Sequence, residues 1–390
     1  VKKIIGWLHL WLGISSGLVV LIVALTGSLL VFEDELDPLF HPSFFYVTAP
    51  AGARPLSVDA LAKTVQAQYP GYKLYDINIE QEASRSMIFA LRKSKTDVLD
   101  VAVNQYTGTI VEAVKEQRRF FYVVLQLHRY LCMGAVGKVI TGISCSIFLI
   151  LVLTGLVLWW PKRNTRRQRM QVKWDASWKR LNWDLHAVLG FYVHIVIFTI
   201  ALMGLTWSYE WVNNLIFLTF DGKPYKKMTA PKVTPAKVMH TAYLDQVLAT
   251  TDSLFAYHGP IKIRFSEKKD EAITVSRQNT DAAVSNITSF AYFEKGSGKL
   301  VKVRPYETES RGMKARRLVY PIHTGSLLGW PTKIIALIAA LVAASLPITG
   351  LCIWLNRKKK KQPSKAGKNK LPDDVPLLRK DSVSSPAGIS

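Results

Sequence analysis

The sequence predicts an α+β membrane protein. A four-helix transmembrane bundle, built from two tandem helix–domain–helix repeats, carries an outer domain of helices and antiparallel strands. Three observations predict it. Four stretches are apolar over the roughly 20 residues needed to cross a bilayer. Two fixed offsets superimpose one half of the chain on the other. Between the spans of each half, apolar and polar residues alternate with the period of half-buried strands.

The spans run over 1–32, 136–160, 185–211 and 330–356, and each has Trp near an end, where amphipathic rings anchor at the membrane interface. The first is too long for a signal-peptide core and reads as a retained anchor. The chain of 390 residues carries a formal charge of +23, and the excess is concentrated beside the spans. Lys2 and Lys3 precede the first span. Lys162, Arg163, Arg166, Arg167 and Arg169 follow the second, and Arg357 and Lys358 to Lys361 follow the fourth. The positive-inside rule places all three runs, and both termini, in the cytoplasm. The loop 161–184 is then cytoplasmic, and 33–135 and 212–329 lie outside. The segment 357–390, rich in Lys, Ser, Pro and Asp, reads as a disordered tail. Basic runs that flank apolar spans mark topology, so no nucleic-acid partner is expected.

The repeat is exact at several points. Shifted by 177 positions, His9 meets His186, Gly13 meets Gly190, and Ala24, Leu25 and Gly27 meet Ala201, Leu202 and Gly204. Shifted by 195, His128 meets His323, Gly134 meets Gly329, and Lys138 meets Lys333. The same offset places Thr154-Gly155-Leu156 on Thr349-Gly350-Leu351 and Trp159 on Trp354. Each half contains two spans, so both halves insert in one direction and are related by an axis along the membrane normal. Equivalent residues therefore stand at equal depth. The outer segments repeat more loosely: a helical pattern at 57–69 and 234–249, strands near 73–80, 86–92 and 98–104 and near 261–266, 271–277 and 288–293, then a turn at 107–111 and 297–301.

Four of the eight histidines form the repeat pairs. His9 and His186 lie near the cytoplasmic ends of spans one and three, and His128 and His323 at the outer entries of spans two and four. Imidazoles facing one another in a bundle core are a standard way to hold haem iron. Two bis-histidine sites are therefore expected, an inner one from His9 and His186 and an outer one from His128 and His323. Gly13 and Gly190, one turn after the inner ligands, leave room for a porphyrin, and Gly134 and Gly329 are candidates for the same role outside. His194, about 12 Å deeper at the helical rise, stands as an alternative to His186 or as a hydrogen-bonded core residue. His41, His240 and His258 read as ordinary outer-domain residues.

Cys132, Cys145 and Cys352 form no CxxC or CxxCH, which excludes a disulfide framework, a zinc knuckle and covalent haem. A hydrolytic triad, a zincin motif and a phosphate loop are likewise missing from the sequence. Glu33, Asp34, Glu35 and Asp37 form an acidic cluster that reads as a solvated helix end.

Several of these pieces resemble one family. Trp7-Leu8-His9, Leu25-Thr26-Gly27 and Glu33-Asp34-Glu35-Leu36 resemble the opening of the PepSY-associated transmembrane proteins. Leu127-His128-Arg129, Trp159-Trp160-Pro161, Asp184-Leu185-His186 and Ile322-His323-Thr324-Gly325 are similar to its later signatures. The resemblance covers the chain up to its tail. It implies a bacterial inner-membrane protein with periplasmic PepSY-like modules, allied to ferric-siderophore reductases that carry two b-type haems, with His9, His186, His128 and His323 as ligands. Some relatives fuse a flavin reductase domain. This chain shows no dinucleotide fingerprint, so its electron donor is expected to be a separate protein or a quinol.

On this reading electrons cross from the inner to the outer haem and reduce a ferric chelate, and iron(II) then leaves the hard oxygen ligands of a siderophore. Arg129 is a candidate partner for a haem propionate. Arg118, Arg119, Phe120, Phe121, Tyr122, Lys314, Arg316, Arg317 and Tyr320 are candidates for chelate docking, and equally for lipid headgroups. Two rival classes remain open at this stage: a PepSY-type regulatory or binding protein, and a small proton-coupled transporter.

Overall fold

The structure is a computed structural model and describes residues 1–161, 166–234, 241–268 and 270–359. Thirteen α-helices and eight strands are present among them. In chain order they are α1 (Lys2–Leu30), α2 (Glu33–Phe40), α3 (Pro42–Phe45), α4 (Val58–Gln68), β1 (Lys73–Ile79), β2 (Met87–Ser94), β3 (Asp97–Val103), β4 (Ile110–Lys115), α5 (Phe120–Tyr130) and α6 (Gly134–Trp159). Then come α7 (Arg166–Arg169), α8 (Trp178–Asp184), α9 (Gly190–Ser208), α10 (Glu210–Asp221), α11 (Tyr243–Leu254), β5 (Ile261–Arg264), β6 (Ile273–Gln278), β7 (Thr288–Phe293), β8 (Leu300–Arg304), α12 (Arg311–Thr324) and α13 (Trp330–Lys359).

Four helical stretches are long and apolar enough to cross a membrane: Lys2–Leu30, Gly134–Trp159, Trp178–Ser208 and Trp330–Arg357. Their outward faces are apolar as well. Leu18, Ile195 and Val139 are 70%, 67% and 59% exposed, a pattern that water penalises and lipid favours. The chain is a multi-pass membrane protein. α1 packs against α6 and α13, and α9 closes the ring against the same two neighbours. Small residues let the backbones approach: a Cβ on Gly17 of α1 would stand 3.3 Å from Cβ of Pro347 in α13.

The third span departs from its expected bounds. It begins at Trp178, passes through a π-helical turn at Leu185–Leu189, and ends at Ser208 because Tyr209 is extended. Trp211 consequently lies on α10. Ahead of α6 and α13, the short helices α5 and α12 end in left-handed residues, Leu131 (φ 48°) and Gly325 (φ 75°), and the chain reverses there. The outer histidines thus belong to separate helices folded back against the bundle.

All eight strands form one antiparallel sheet in the order β4-β3-β2-β1-β5-β6-β7-β8. β4 and β8 follow the glycine turns and continue what the sequence pattern presents as turns alone. The halves join at their first strands, with Asp76 opposite Arg264, Ile77 opposite Ile263, Asn78 opposite Lys262 and Ile79 opposite Ile261. Asp76 binds the Arg264 guanidinium at 2.8 and 2.9 Å and Lys262 at 3.2 Å, so the seam carries charge pairs beside its backbone bonds. One face of the sheet is covered by α4 and α11. Leu61, Val65, Leu244 and Val247 pack there against Phe89, Val101, Ile263, Val275 and Phe293 in a single core.

The two covering helices cap each other. The Asp245 carboxylate accepts from the Ser57 hydroxyl and from the Val58 amide at 2.7 Å, while Asp59 accepts from the amides of Leu244 at 2.7 Å and Asp245 at 3.0 Å. Each acid sits at the positive N-terminus of the other helix. The second helix starts at Tyr243, later than its sequence pattern suggests. Part of that pattern (235–240), including His240, lies outside the described residues, as do Lys162, Arg163, Lys360, Lys361 and 362–390 of the tail.

Candidate cofactor-binding site

Helix geometry decides where the histidines point. His9 and Gly27 are eighteen residues apart on α1, five full turns at 3.6 residues per turn, so they share one face; His186 and Gly204 keep the same spacing on the third span, across its π-helical turn. Those faces are turned inward, and the structure brings the repeat-related histidines together. The ring centroids of His9 and His186 are 6.3 Å apart, with the planes perpendicular at 89°. Those of His128 and His323 are 6.2 Å apart at 61°. Along α1, His9 and the seat of His128 at Gly27 are eighteen residues apart, ~27 Å at the helical rise.

Every one of the four rings is seated in the same way. The Cε1 edge lies over a glycine of a neighbouring helix. A Cβ there would stand 3.3 Å from His9 at Gly155, 3.2 Å from His186 at Gly350, 3.1 Å from His128 at Gly27, and 3.2 Å from His323 at Gly204. Nδ1 of each ring is hydrogen-bonded close by. His9 bonds Thr154 Oγ1 and His186 bonds Thr349 Oγ1, both at 2.9 Å; His128 bonds the Val23 carbonyl at 2.9 Å and His323 the Ile200 carbonyl at 2.8 Å.

These bonds bear on the tautomers. A carbonyl can only accept. The Thr154 and Thr349 hydroxyls give their single proton to their own helices, to Ile150 O at 2.8 Å and Ser345 O at 2.9 Å, so they too accept from the ring. Nδ1 therefore carries the proton in His128 and His323, and the threonine back-bonds favour the same tautomer in His9 and His186; Nε2 then keeps its lone pair, the arrangement found in metal-ligating histidines.

The spacing would suit a shared metal. Two metal–nitrogen bonds of about 2.0–2.1 Å, each extended by the radius of a five-membered ring, would let two imidazoles share one metal with centroids roughly 6.3 Å apart. The inner pair also opens on a cavity of about 990 Å³ among all four spans. Gly13, Gly17 and Gly190 border it, as expected for a planar ligand lying against backbone, and Lys2, Lys3, Arg169 and Arg357 border its charged end. An apolar slot with a cationic end suits a macrocycle with carboxylate tails. At the inner pair the donor set and the space both fit haem; at the outer pair the donor set does.

Gly134 and Gly329 stand where the chain turns into α6 and α13. Both have positive φ, at 55° and 72°, and a Cβ on either would meet nothing within 4 Å. The seat glycines are the ones that matter, and the repeat already displayed them as Thr-Gly, Leu-Thr-Gly and Leu-Met-Gly. Gly137 is a further requirement. A Cβ there would lie 1.6 Å from the Tyr130 carbonyl, where the chain turns from α5 into α6.

His194 lines the inner cavity but belongs to neither pair. Its Nδ1 bonds the Phe191 carbonyl, and its ring stacks on Phe191, which in turn stacks on Trp159 at 3.6 Å. Trp207 is a neighbour the sequence did not announce. Its ring centroid is 5.1 Å from that of His323, and Arg316 lies 5.4 Å above it while bonding Asn213 at 2.5 Å.

The docking candidates divide. Arg119 bridges Asp37 and Asp100, and Arg317 forks onto the fully buried Glu309 at 2.6 Å through both nitrogens; these arginines hold the outer domain together. Burial works against the charge on Arg119, but Asp37 and Asp100 outweigh it and hold the guanidinium above its ordinary pKa. Burial likewise raises the Asp100 carboxyl, against the pull of Arg119. Lys314 reaches the Glu307 carbonyl, and Phe121 is buried. Arg118, Phe120 and Tyr320 are exposed and Tyr122 is half-buried. Arg129 lies over the Tyr130 ring, one residue from His128. His41 and His258 are exposed and pair with Asp37 and Asp281.

A model of the PepSY-associated TM region matches residues 6–357, nearly the whole chain. The chain belongs to the PepSY-associated TM region family. None of the curated proteins compared with it matches. The four seated histidines all fall within the PepSY-associated region, two at each end of its spans.

Proposed function

We propose that this protein is a di-haem reductase of the bacterial inner membrane that passes electrons outward to a periplasmic ferric chelate. One observation carries the reading: four imidazoles from repeat-related positions, each with Nδ1 engaged and Nε2 bare, stand in two pairs at a separation that admits a metal. By the positive-inside rule the basic end of the bundle faces the cytoplasm, and the sheet faces the periplasm.

His9 and His186 would hold one haem b and His128 and His323 the other, each supplying reversible one-electron chemistry when bound. The protein's part is then positional. The seat glycines let each ring approach a neighbouring helix, and the Nδ1 bonds stop it turning. Lys2, Lys3, Arg169 and Arg357 balance carboxylates at the cytoplasmic end of the cavity. The apolar lining keeps bulk water from the inner site. At the outer level Arg118, Tyr122 and Tyr320 are available to a ferric siderophore, whereas Arg119 and Arg317 are committed to internal acids. Reduction weakens the hold of oxygen ligands on iron, which then leaves as Fe(II).

The test is purification in mild detergent, with oxidised and reduced absorption spectra and a pyridine-haem assay. Two b-type haems per chain are expected, falling to one in His9→Ala and in His128→Ala. Wild-type protein without haem, from haem-replete cells, overturns the proposal.

A further inference from the structure

The four seats share one pattern but differ in what receives the Nδ1 proton. At the inner pair a threonine hydroxyl accepts, Thr154 for His9 and Thr349 for His186, immediately before the seat glycine, and at His186 the Leu346 carbonyl stands beside the hydroxyl as a second, main-chain partner. At the outer pair it is main chain, the carbonyl four residues before the seat glycine, Val23 for His128 and Ile200 for His323. Thr26 occupies the position equivalent to Thr154, yet its hydroxyl lies 3.2 Å from His128 Nδ1, longer than the 2.9 Å bond to the carbonyl. In the fourth seat the position is Met203, which has no hydroxyl, and His323 still makes its bond at 2.8 Å.

We infer that Thr154 and Thr349 are positioning residues of the inner site alone, and that the outer site is oriented by backbone and is independent of its threonine. The inference rests on the di-haem reading and assigns roles within it. The reason is physical. Each inner hydroxyl stands between two fixed partners, the imidazole and a carbonyl one turn back, and so transmits the helix's own hydrogen bonding to the ring. Removing it takes away the partner that holds the ring's rotation and the basicity of Nε2. At the outer site the Thr26 hydroxyl adds only a longer contact to His128 beside the carbonyl, and Met203 shows that the position tolerates an apolar group.

Asn182 strengthens the case in the second half. It is 2% exposed, and its amide donates to the Thr349 carbonyl at 3.1 Å, fixing the segment that carries the hydroxyl. The equivalent position in the first half is Ile5, so the His186 seat is braced from the cytoplasmic side and the His9 seat is not.

The experiment compares wild type with Thr154→Val, Thr349→Val, their double variant, Thr26→Val, and Thr→Ser at 154 and 349. Haem stoichiometry, low-spin EPR signals and a redox titration are read on purified protein. Outer-shell partners of metal-bound histidines typically contribute 10–100-fold in affinity, so the inner haem is expected to bind about tenfold more weakly or worse in the double variant. Its EPR signal and potential move while those of the outer haem stay in place. Thr26→Val leaves both sites unchanged, and the serine variants restore the inner site. Equal effects of Thr26→Val and Thr154→Val, or a double variant that keeps wild-type haem signals, overturn the inference while the di-haem reading survives. Wild-type protein without haem overturns both.

Discussion

Adding one methyl group to a seat glycine separates the fold from the site. In Gly27→Ala the new Cβ stands 3.1 Å from His128 Cε1, whereas unstrained carbon contacts lie near 3.5–4.0 Å. The imidazole must retreat by a few tenths of an ångström. Its Nδ1 bond to the Val23 carbonyl, 2.9 Å in the native seat, lengthens or tilts as it moves. A neutral hydrogen bond contributes about 0.5–1.5 kcal/mol, and overpacking costs about 1–3 kcal/mol where neighbours cannot yield. Together these place the loss in outer-site affinity at roughly one to three orders of magnitude. The same substitution favours the helix by about 1 kcal/mol, because alanine restricts the unfolded chain more than glycine does. Haem content should therefore fall, the helix gain should offset only part of the packing cost in thermal stability, and Gly27→Val should lose more haem than Gly27→Ala. Spectroscopic haem counting beside a detergent-compatible thermal melt reads both quantities. A Gly27→Val protein with two haems and unchanged spectra would refute the seat argument.

Three other predictions concern the scaffold. Asp245→Ala removes the carboxylate that accepts from Val58 and Ser57 at the start of α4, and a loss of about 1–2 kcal/mol is expected, read as a lowered melting temperature with haem content unchanged. Burial raises the Asp59 carboxyl above its ordinary 3.8, against the pull of its two backbone bonds and with a smaller push from Asp245. Its folded pKa being the higher, this acid favours folding most below 3.8 and loses that contribution as pH rises through the folded value. Asp59→Asn, which still accepts both amides, should flatten the stability profile in that window, and an unchanged profile would show that Asp59 is not its source. Gly137→Ala sets a Cβ 1.6 Å from the Tyr130 carbonyl, so the turn from α5 into α6 cannot close. Loss of monodisperse protein in size-exclusion chromatography is the expected outcome, and a well-behaved variant would count against this reading of the turn.

Much of the architecture was legible because it rests on local periodicity. Four apolar runs, two strand-rich segments and the histidine offsets can all be read without knowing any contact. What escaped depends on partners distant in sequence. The pairing of β1 with β5 leaves no local mark, since Lys73–Ile79 and Ile261–Arg264 look like edge strands within their own halves. The reversal after α5 was hidden because Leu131 and Cys132 adopt left-handed conformations without being glycine. The seats were half visible: Thr-Gly stood out as a repeated word, but that its glycine receives an imidazole edge follows only from which helices are neighbours. Trp207 has Leu30 as its repeat counterpart, so symmetry gave no hint of it.

The seam between β1 and β5 bears on how the molecule can move. Four registered residue pairs, Asp76 with Arg264 through Ile79 with Ile261, tie the first repeat to the second, and the hydrophobic core runs unbroken beneath them. Rocking one repeat against the other, as alternating-access carriers do, would require unzipping that seam and tearing the core beneath it. Electron tunnelling has the opposite requirement, because its rate falls steeply with each added ångström and rewards a span that never changes. The sheet acts as a tie-bar across the two halves, and a tie-bar serves a wire better than a pump.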